Sequence, residues 1–211
     1  MSLFITFEGG EGSGKTVQAR ALHHRLARLN IPVVILHEPG GTPLGNRIAR
    51  TLKWAREVDI SPLSELLLFN ASRAQLVDEV IHPELASGKI VICDRYTDST
   101  VVYQGYGRGL DMEVVWKINA TATGGLVPDL TVLLDMPVEG GFARKGVSVR
   151  DRFEQEDMSF HRRVREGYLK LAKAEPGRWL VVDAAQSRKK IAGIIWERVS
   201  RLLGNAGGSG V

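Results

Sequence analysis

The sequence predicts an α/β fold in which helices flank a parallel sheet, and three observations carry that expectation. Short apolar runs alternate with helical periods along the chain. The runs are rich in β-branched residues and nearly unbroken by polar ones, the pattern of strands covered on both faces. The chain has 211 residues, 44% hydrophobic and 25% charged, which is enough for one well-buried core and excludes wholesale disorder.

Strands are expected at Leu3 to Phe7, Pro32 to Leu36, Ile90 to Cys93, Leu130 to Leu134 and Trp179 to Val182. Between the first two, Ala19, Leu22, Leu26 and Leu29 recur at helical spacing. Ser61 can cap a helix whose first position suits Pro62. Phe160, Val164 and Leu171 mark a later helix, and Ile191, Ile194 or Ile195, Val199 and Leu202 the last one. The Gly-bearing stretch Glu139 to Val149 interrupts the pattern and predicts a mobile loop. With no internal repeat or linker, residues 1–204 are expected to form a single domain, its lid at about 140–153, followed by a flexible Gly-rich tail over 205–211.

Charge and cysteine usage narrow the function classes. Against 24 Asp+Glu stand 28 Lys+Arg, and the excess of +4 describes a mixed-charge surface rather than a nucleic-acid-binding tail. Cys93 is alone, so no internal disulfide forms and a reducing compartment is expected; its apolar run predicts a buried thiol. No apolar stretch approaches the roughly 18 residues of a membrane span. Met1 to Ile5 lacks the basic region of a signal peptide, and the expected location is cytoplasmic.

Gly9-Gly10-Glu11-Gly12-Ser13-Gly14-Lys15-Thr16 matches the P-loop pattern G-x-x-x-x-G-K-[ST], after a predicted strand and before a predicted helix. Glycines let backbone N–H groups turn around phosphate oxygens, and the helix N-terminus adds positive potential. Lys15 can reach the β- and γ-phosphates, and the Thr16 hydroxyl can bind Mg²⁺. The expectation is therefore a P-loop NTPase fold. No Asn-Lys-x-Asp run reads guanine, and a small kinase fits the length best.

Other residues gather at the expected strand ends. Asp94 and Arg95 follow the third apolar run, where a carboxylate faces the ligand crevice and an arginine can grip phosphate; a helix cap with a surface partner is the other reading. Phe69 and Arg73, four apart, suit a flat base, although spacing alone reads first as a core aromatic beside a surface arginine. Ser99, Thr100, Tyr103 and Gln104 share one helix side. Arg144, Lys145, Arg150 and Arg152 form a basic lid able to close over transferring phosphates.

Taken in order, these motifs resemble the bacterial thymidylate kinase family over about Leu3 to Leu203. They are Phe7-Glu8-Gly9 with the P-loop, Glu38-Pro39-Gly40-Gly41-Thr42, Leu66-Leu67-Leu68-Phe69 through Arg73-Ala74-Gln75, Asp94-Arg95-Tyr96, Tyr103-Gln104-Gly105, Pro128-Asp129-Leu130 and Asp151-Arg152-Phe153-Glu154. The resemblance implies a five-stranded parallel sheet, a homodimer, and transfer of the ATP γ-phosphoryl group to dTMP. Gly9, Gly10, Glu11, Gly12, Ser13, Gly14, Lys15, Thr16 and Val17 would hold ATP, with Mg²⁺ on Thr16 and Asp94. Glu11 would also accept the sugar 3′-hydroxyl, Phe69 would stack on thymine and Arg73 would bond its O4 edge. Arg95 would bind the dTMP phosphate, Thr100 or Ser99 the base N3, and Tyr103 would crowd the 2′ position. Glu38, Pro39 and Gln104 complete the acceptor set, and Lys15, Arg95, Arg144, Arg150 and Arg152 would be catalytic. Three positions depart from the family: His37 precedes Glu38, Val17 follows Thr16, and Ala49 stands where an arginine is common, leaving Arg47 or Arg50 to replace it. A binding module without turnover and a kinase for another monophosphate stay open at this point.

Overall fold

The computed structural model describes residues 2–54, 58–146 and 151–207. Five parallel strands, β1 (Leu3–Glu8), β2 (Val33–His37), β3 (Ile90–Asp94), β4 (Leu130–Asp135) and β5 (Trp179–Asp183), form one sheet in the order β2-β3-β1-β4-β5. β1 is central and runs between β3 and β4, so the sheet's switch in strand order opens a crevice at the carboxyl ends of these three strands.

Alternation along β1 divides the core. Ile5 and Phe7 pack with Leu22 and Leu26 of α1 (Lys15–Arg28) and with Ile191, Ile195 and Val199 of the last helix, Arg188–Gly207. Phe4, Val91 and Cys93 point the other way, onto Leu76, Val77 and Ile81. Leu29, the last of the predicted apolar series, is exposed because α1 ends before it.

α2 (Pro43–Trp54) packs against α3 (Pro62–Leu76), which starts as predicted: the Ser61 hydroxyl accepts from the Ser64 N–H, and Pro62 takes the first position. α3 continues through a π-helical turn, Val77–Ile81, into α4 (His82–Ala86). After β3, α5 (Thr97–Thr100) runs directly into a π-helical segment, Val101–Gly107, and α6 (Met112–Thr123) leads to β4. Two features differ from the sequence reading. Residues Val138–Lys145 form a helix, α7, where glycines predict a loop. The last helix, α9 after α8 (Met158–Ala174), continues through Gly207, past the end of its apolar spacing, because backbone hydrogen bonds propagate once a helix is nucleated.

Candidate active site

The loop between β1 and α1 turns through left-handed glycines, with φ of +67° at Gly12 and +90° at Gly14, conformations that L side chains rarely adopt. The Ser13 hydroxyl donates to the Gly10 carbonyl at 2.8 Å and locks the turn. Lys15, only 8% exposed, lies with Nζ 3.4 Å from the same carbonyl; burial and the neighbouring Arg95 lower its pKa. Val17, expected with the ATP set, is exposed on α1 beyond Thr16.

Across the crevice, the Thr16 hydroxyl donates to Asp94 Oδ2, while Asp94 Oδ1 is buried without a hydrogen-bond partner. Two hard oxygen donors beside the phosphate cradle fit a divalent cation. Among the described residues no group of three or more His, Cys, Asp and Glu offers a complete metal site, so phosphate and water oxygens would have to supply the remaining ligands.

Arg95 follows with φ of +72°, a left-handed turn for a residue with a side chain. Glu8, fully buried at the end of β1, holds that turn: its Oε1 accepts the Tyr96 N–H at 2.8 Å. Its Oε2 accepts from Ser99 Oγ at 2.6 Å and Tyr168 OH at 2.8 Å. The Arg95 guanidinium then reaches Glu11 Oε1 at 2.7 Å and lies over the Tyr103 ring.

A cavity of about 460 Å³ opens beside Lys15 and Thr16. Every acceptor residue expected from the sequence lines it: Glu11, Glu38, Pro39, Phe69, Arg73, Arg95, Ser99, Thr100, Tyr103 and Gln104. Arg73 is no surface residue. At 1% exposure it donates Nε to Glu38 Oε2 at 2.8 Å, Nη1 to Asn119 Oδ1 at 2.9 Å and Nη2 to the Tyr96 carbonyl at 3.2 Å. Phe69 lies 5.5 Å from the Phe153 ring, and the Thr100 hydroxyl is buried without a partner. Gln104 donates its amide to Glu65, a fully buried carboxylate that also takes Arg108 and Arg152.

The lid cations are distributed differently from the expectation. Arg144 donates to the Ala184 carbonyl at 2.6 Å, and Arg152 to Glu65 at 2.6 Å and the Leu52 carbonyl at 3.0 Å; neither lines the cavity. Both guanidiniums have nearby protein acceptors. Arg150 lies outside the described residues. Among the described residues of this segment Lys145, the last residue of α7, stands at the P-loop, bridging Glu154 and Glu11.

Comparison with known proteins decides what this constellation belongs to. Residues 7–194 match the family model described as Thymidylate kinase. The chain belongs to the thymidylate kinase family. Its relatives include thymidylate kinase of Dehalococcoides mccartyi, 56% identical with 96% of this chain and 98% of the relative covered. That of Deinococcus radiodurans is 51% identical, covering 94% and 96%. The crystal structure of thymidylate kinase from Ehrlichia chaffeensis superposes with a TM-score of 0.75 at 35% identity, covering 95% of this chain and 98% of that one.

Membership in the thymidylate kinase family makes the chain an ATP-dependent nucleoside monophosphate kinase, a phosphotransferase. Sequence reasoning left three residues of this site without a role. Glu8 stands inside the quoted Phe-Glu-Gly run, where nothing marks it. Glu65 and Lys53 carried no signal, because what distinguishes them is tertiary contact with segments far along the chain.

Proposed function

We propose that the chain transfers the γ-phosphoryl group of ATP to dTMP, giving dTDP and ADP, with ATP phosphates on the P-loop and dTMP in the cavity lined by Phe69, Arg73, Arg95 and Tyr103. The observation that carries this reading is the convergence of the whole acceptor set on one cavity beside Lys15. Phe69 offers a face for the thymine ring and Arg73, fixed by Glu38 and Asn119, a rigid edge to bond it. The partnerless Thr100 hydroxyl is free to meet the base, and Tyr103 stands over Arg95 where a 2′-hydroxyl would crowd it.

Phosphoryl transfer is catalysed chiefly by positioning and by cations around the transferring group. Lys15, Lys145 and Arg95 are cations beside the P-loop, and Arg95 also orients the acceptor phosphate. Arg144, Arg150 and Arg152 complete the charge when the lid segment engages the phosphates, the first and last by exchanging their present partners. Thr16 and Asp94 would hold Mg²⁺, which when bound neutralises phosphate charge.

The reading includes a homodimer and a cytoplasmic location. Leu63 and Leu67 are both 49% exposed on α3, and Val114 and Trp116 are exposed on α6, which packs against α3, leaving an apolar face for a second copy. No helix among the described residues is long and apolar enough to cross a membrane.

A coupled ADP-release assay with ATP and Mg²⁺ against dTMP, dUMP, UMP, CMP, AMP and GMP tests the reaction. Strong turnover on dTMP, weaker on dUMP and little on the ribonucleotides is the expected result. Preference for UMP or CMP would overturn the roles of Arg73 and Tyr103.

A further inference from the structure

The last turn of α2 brings one more cation to the acceptor cavity. Lys53 is half-buried and lines the cavity wall, whereas Arg47 and Arg50 of the same helix are exposed and do not reach it. Residue 53 lies one helical turn beyond Ala49, on the same helix face. A cation missing at one of these positions can therefore be supplied from the other. The end of α2 is also anchored: the Lys53 carbonyl accepts the Arg152 N–H at 3.2 Å, and the Leu52 side chain is fully buried.

Lys53 differs in its partners from the two arginines that line this cavity beside the acceptor residues, Arg73 and Arg95. Arg73 is paired with Glu38 and Arg95 with Glu11. Among the described residues no carboxylate lies within ion-pair distance of the Lys53 ammonium; Asp151, Glu11 and Asp94 act on it only from farther away. Partial burial and the Arg95 guanidinium both work against its charge and lower its pKa. Two cations converging on one cavity repel each other until an anion sits between them.

We propose that Lys53 binds the phosphate of the acceptor nucleotide, sharing that dianion with Arg95. The proposal rests on the kinase reading above and adds to it the residue that fills the corner left by Ala49. As a compact point charge on a flexible stem, a lysine there contributes attraction without the fixed fork of an arginine.

The test is a comparison of Lys53→Met and Lys53→Arg with the wild type. Steady-state kinetics would give KM for dTMP and for ATP, and calorimetry the affinity for dTMP and for thymidine, which has the same base and sugar but no phosphate. The expected result is a rise of about tenfold in KM and Kd for dTMP in Lys53→Met. Thymidine affinity and ATP KM stay unchanged, and Lys53→Arg recovers most of the loss. An equal loss of dTMP and thymidine affinity would make Lys53 a structural residue and overturn the proposal. So would unchanged dTMP binding in a wild-type background that turns over dTMP. A wild type silent on dTMP would overturn the kinase reading, and this proposal with it.

Discussion

Arg95 Nη2 lies 2.7 Å from Glu11 Oε1 and ties the turn after β3 to the P-loop. The Tyr103 hydroxyl donates to the same oxygen at 3.1 Å, and Lys145 Nζ stands 3.5 Å from the other. Burial alone would raise the Glu11 pKa, but Lys15, Arg95 and Lys145 together hold it well below the usual carboxylate range. These cations favour the charged form of Glu11, and the carboxylate touches two of them at once, Arg95 and Lys145.

Removing that charge should be costly to the acceptor. Glu11→Ala frees Arg95 and Lys145 from their shared partner and deletes the group assigned to the sugar 3′-hydroxyl. The expected outcome is a fall of about 100-fold in kcat/KM for dTMP, with a much smaller change in ATP KM, measured by steady-state kinetics. Equal losses for both substrates would remove Glu11 from the acceptor side.

Glu8 should make stability depend on pH. Its pKa is raised from 4.5 to about 7, first by burial and then by Asp98, against the pull of Arg95. Between these two values the native state binds more protons than the unfolded state, so this group's contribution is present in full below pH 4.5 and is lost as pH rises through 7. At about 1.4 kcal/mol per pH unit the effect is about 3 kcal/mol. Glu8→Gln keeps a neutral acceptor for the Tyr96 N–H, so its unfolding free energy should decline less than that of the wild type between pH 5 and 7.5. Parallel urea-unfolding curves for the two proteins across that range would refute the assignment.

The strands show what a sequence reveals and where it stops. Each of the five apolar runs is a strand, and each strand extends one residue farther than its run, into Glu8, His37, Asp94, Asp135 and Asp183. An apolar run marks what both faces of the sheet bury. Of the polar residues that end these strands, His37 and Asp94 line the cavity, where chemistry replaces packing. Asp94 was legible because a motif surrounds it; Glu8 needed the tertiary contact with Tyr96 and Ser99, 88 and 91 residues away, to show its work. Burial of Arg73 was equally hidden, since its counter-charge, Glu38, is 35 residues distant and lies on no common helix. The residues expected on the acceptor side came with family motifs and line one cavity, whereas Lys53, which lines it too, belongs to none.

Glu65 should be a stability residue. It is fully buried and receives Gln104 at 2.6 Å, Arg108 at 3.1 Å and Arg152 at 2.6 Å, joining α3 and the π-helical segment to the chain that follows the lid. Glu65→Ala removes the acceptor that two arginines and an amide share, leaving Arg108 with Glu156 and Arg152 with the Leu52 carbonyl. Breaking a buried pair in this way costs about 3 kcal/mol, expected as a lower denaturation midpoint with an unchanged m-value. A loss under about 0.5 kcal/mol would mean that water replaces the carboxylate without penalty.

Helix α7 rests directly on the P-loop, and its glycine is the reason. A Cβ built on Gly141 of α7 would lie 2.1 Å from the Glu11 carbonyl oxygen, and one on Gly12 would lie 1.9 Å from the Gly141 carbonyl oxygen. Backbone meets backbone at both contacts, so no side chain can swing aside to make room. Glycine weakens a helix interior, yet here it permits the approach that sets Lys145 against Glu11. Gly141→Ala should stabilise α7 in isolation while pushing it off the P-loop. A displacement of about 1 Å at a phosphoryl-transfer site costs up to about 100-fold in rate. The expected result is therefore a kcat lowered by about 10- to 100-fold, with ATP KM little changed. An α7 displaced from the P-loop also admits water, so ADP release without dTMP should rise relative to turnover with it. If kcat and that ratio both match the wild type, the packing of α7 on the P-loop has no part in catalysis.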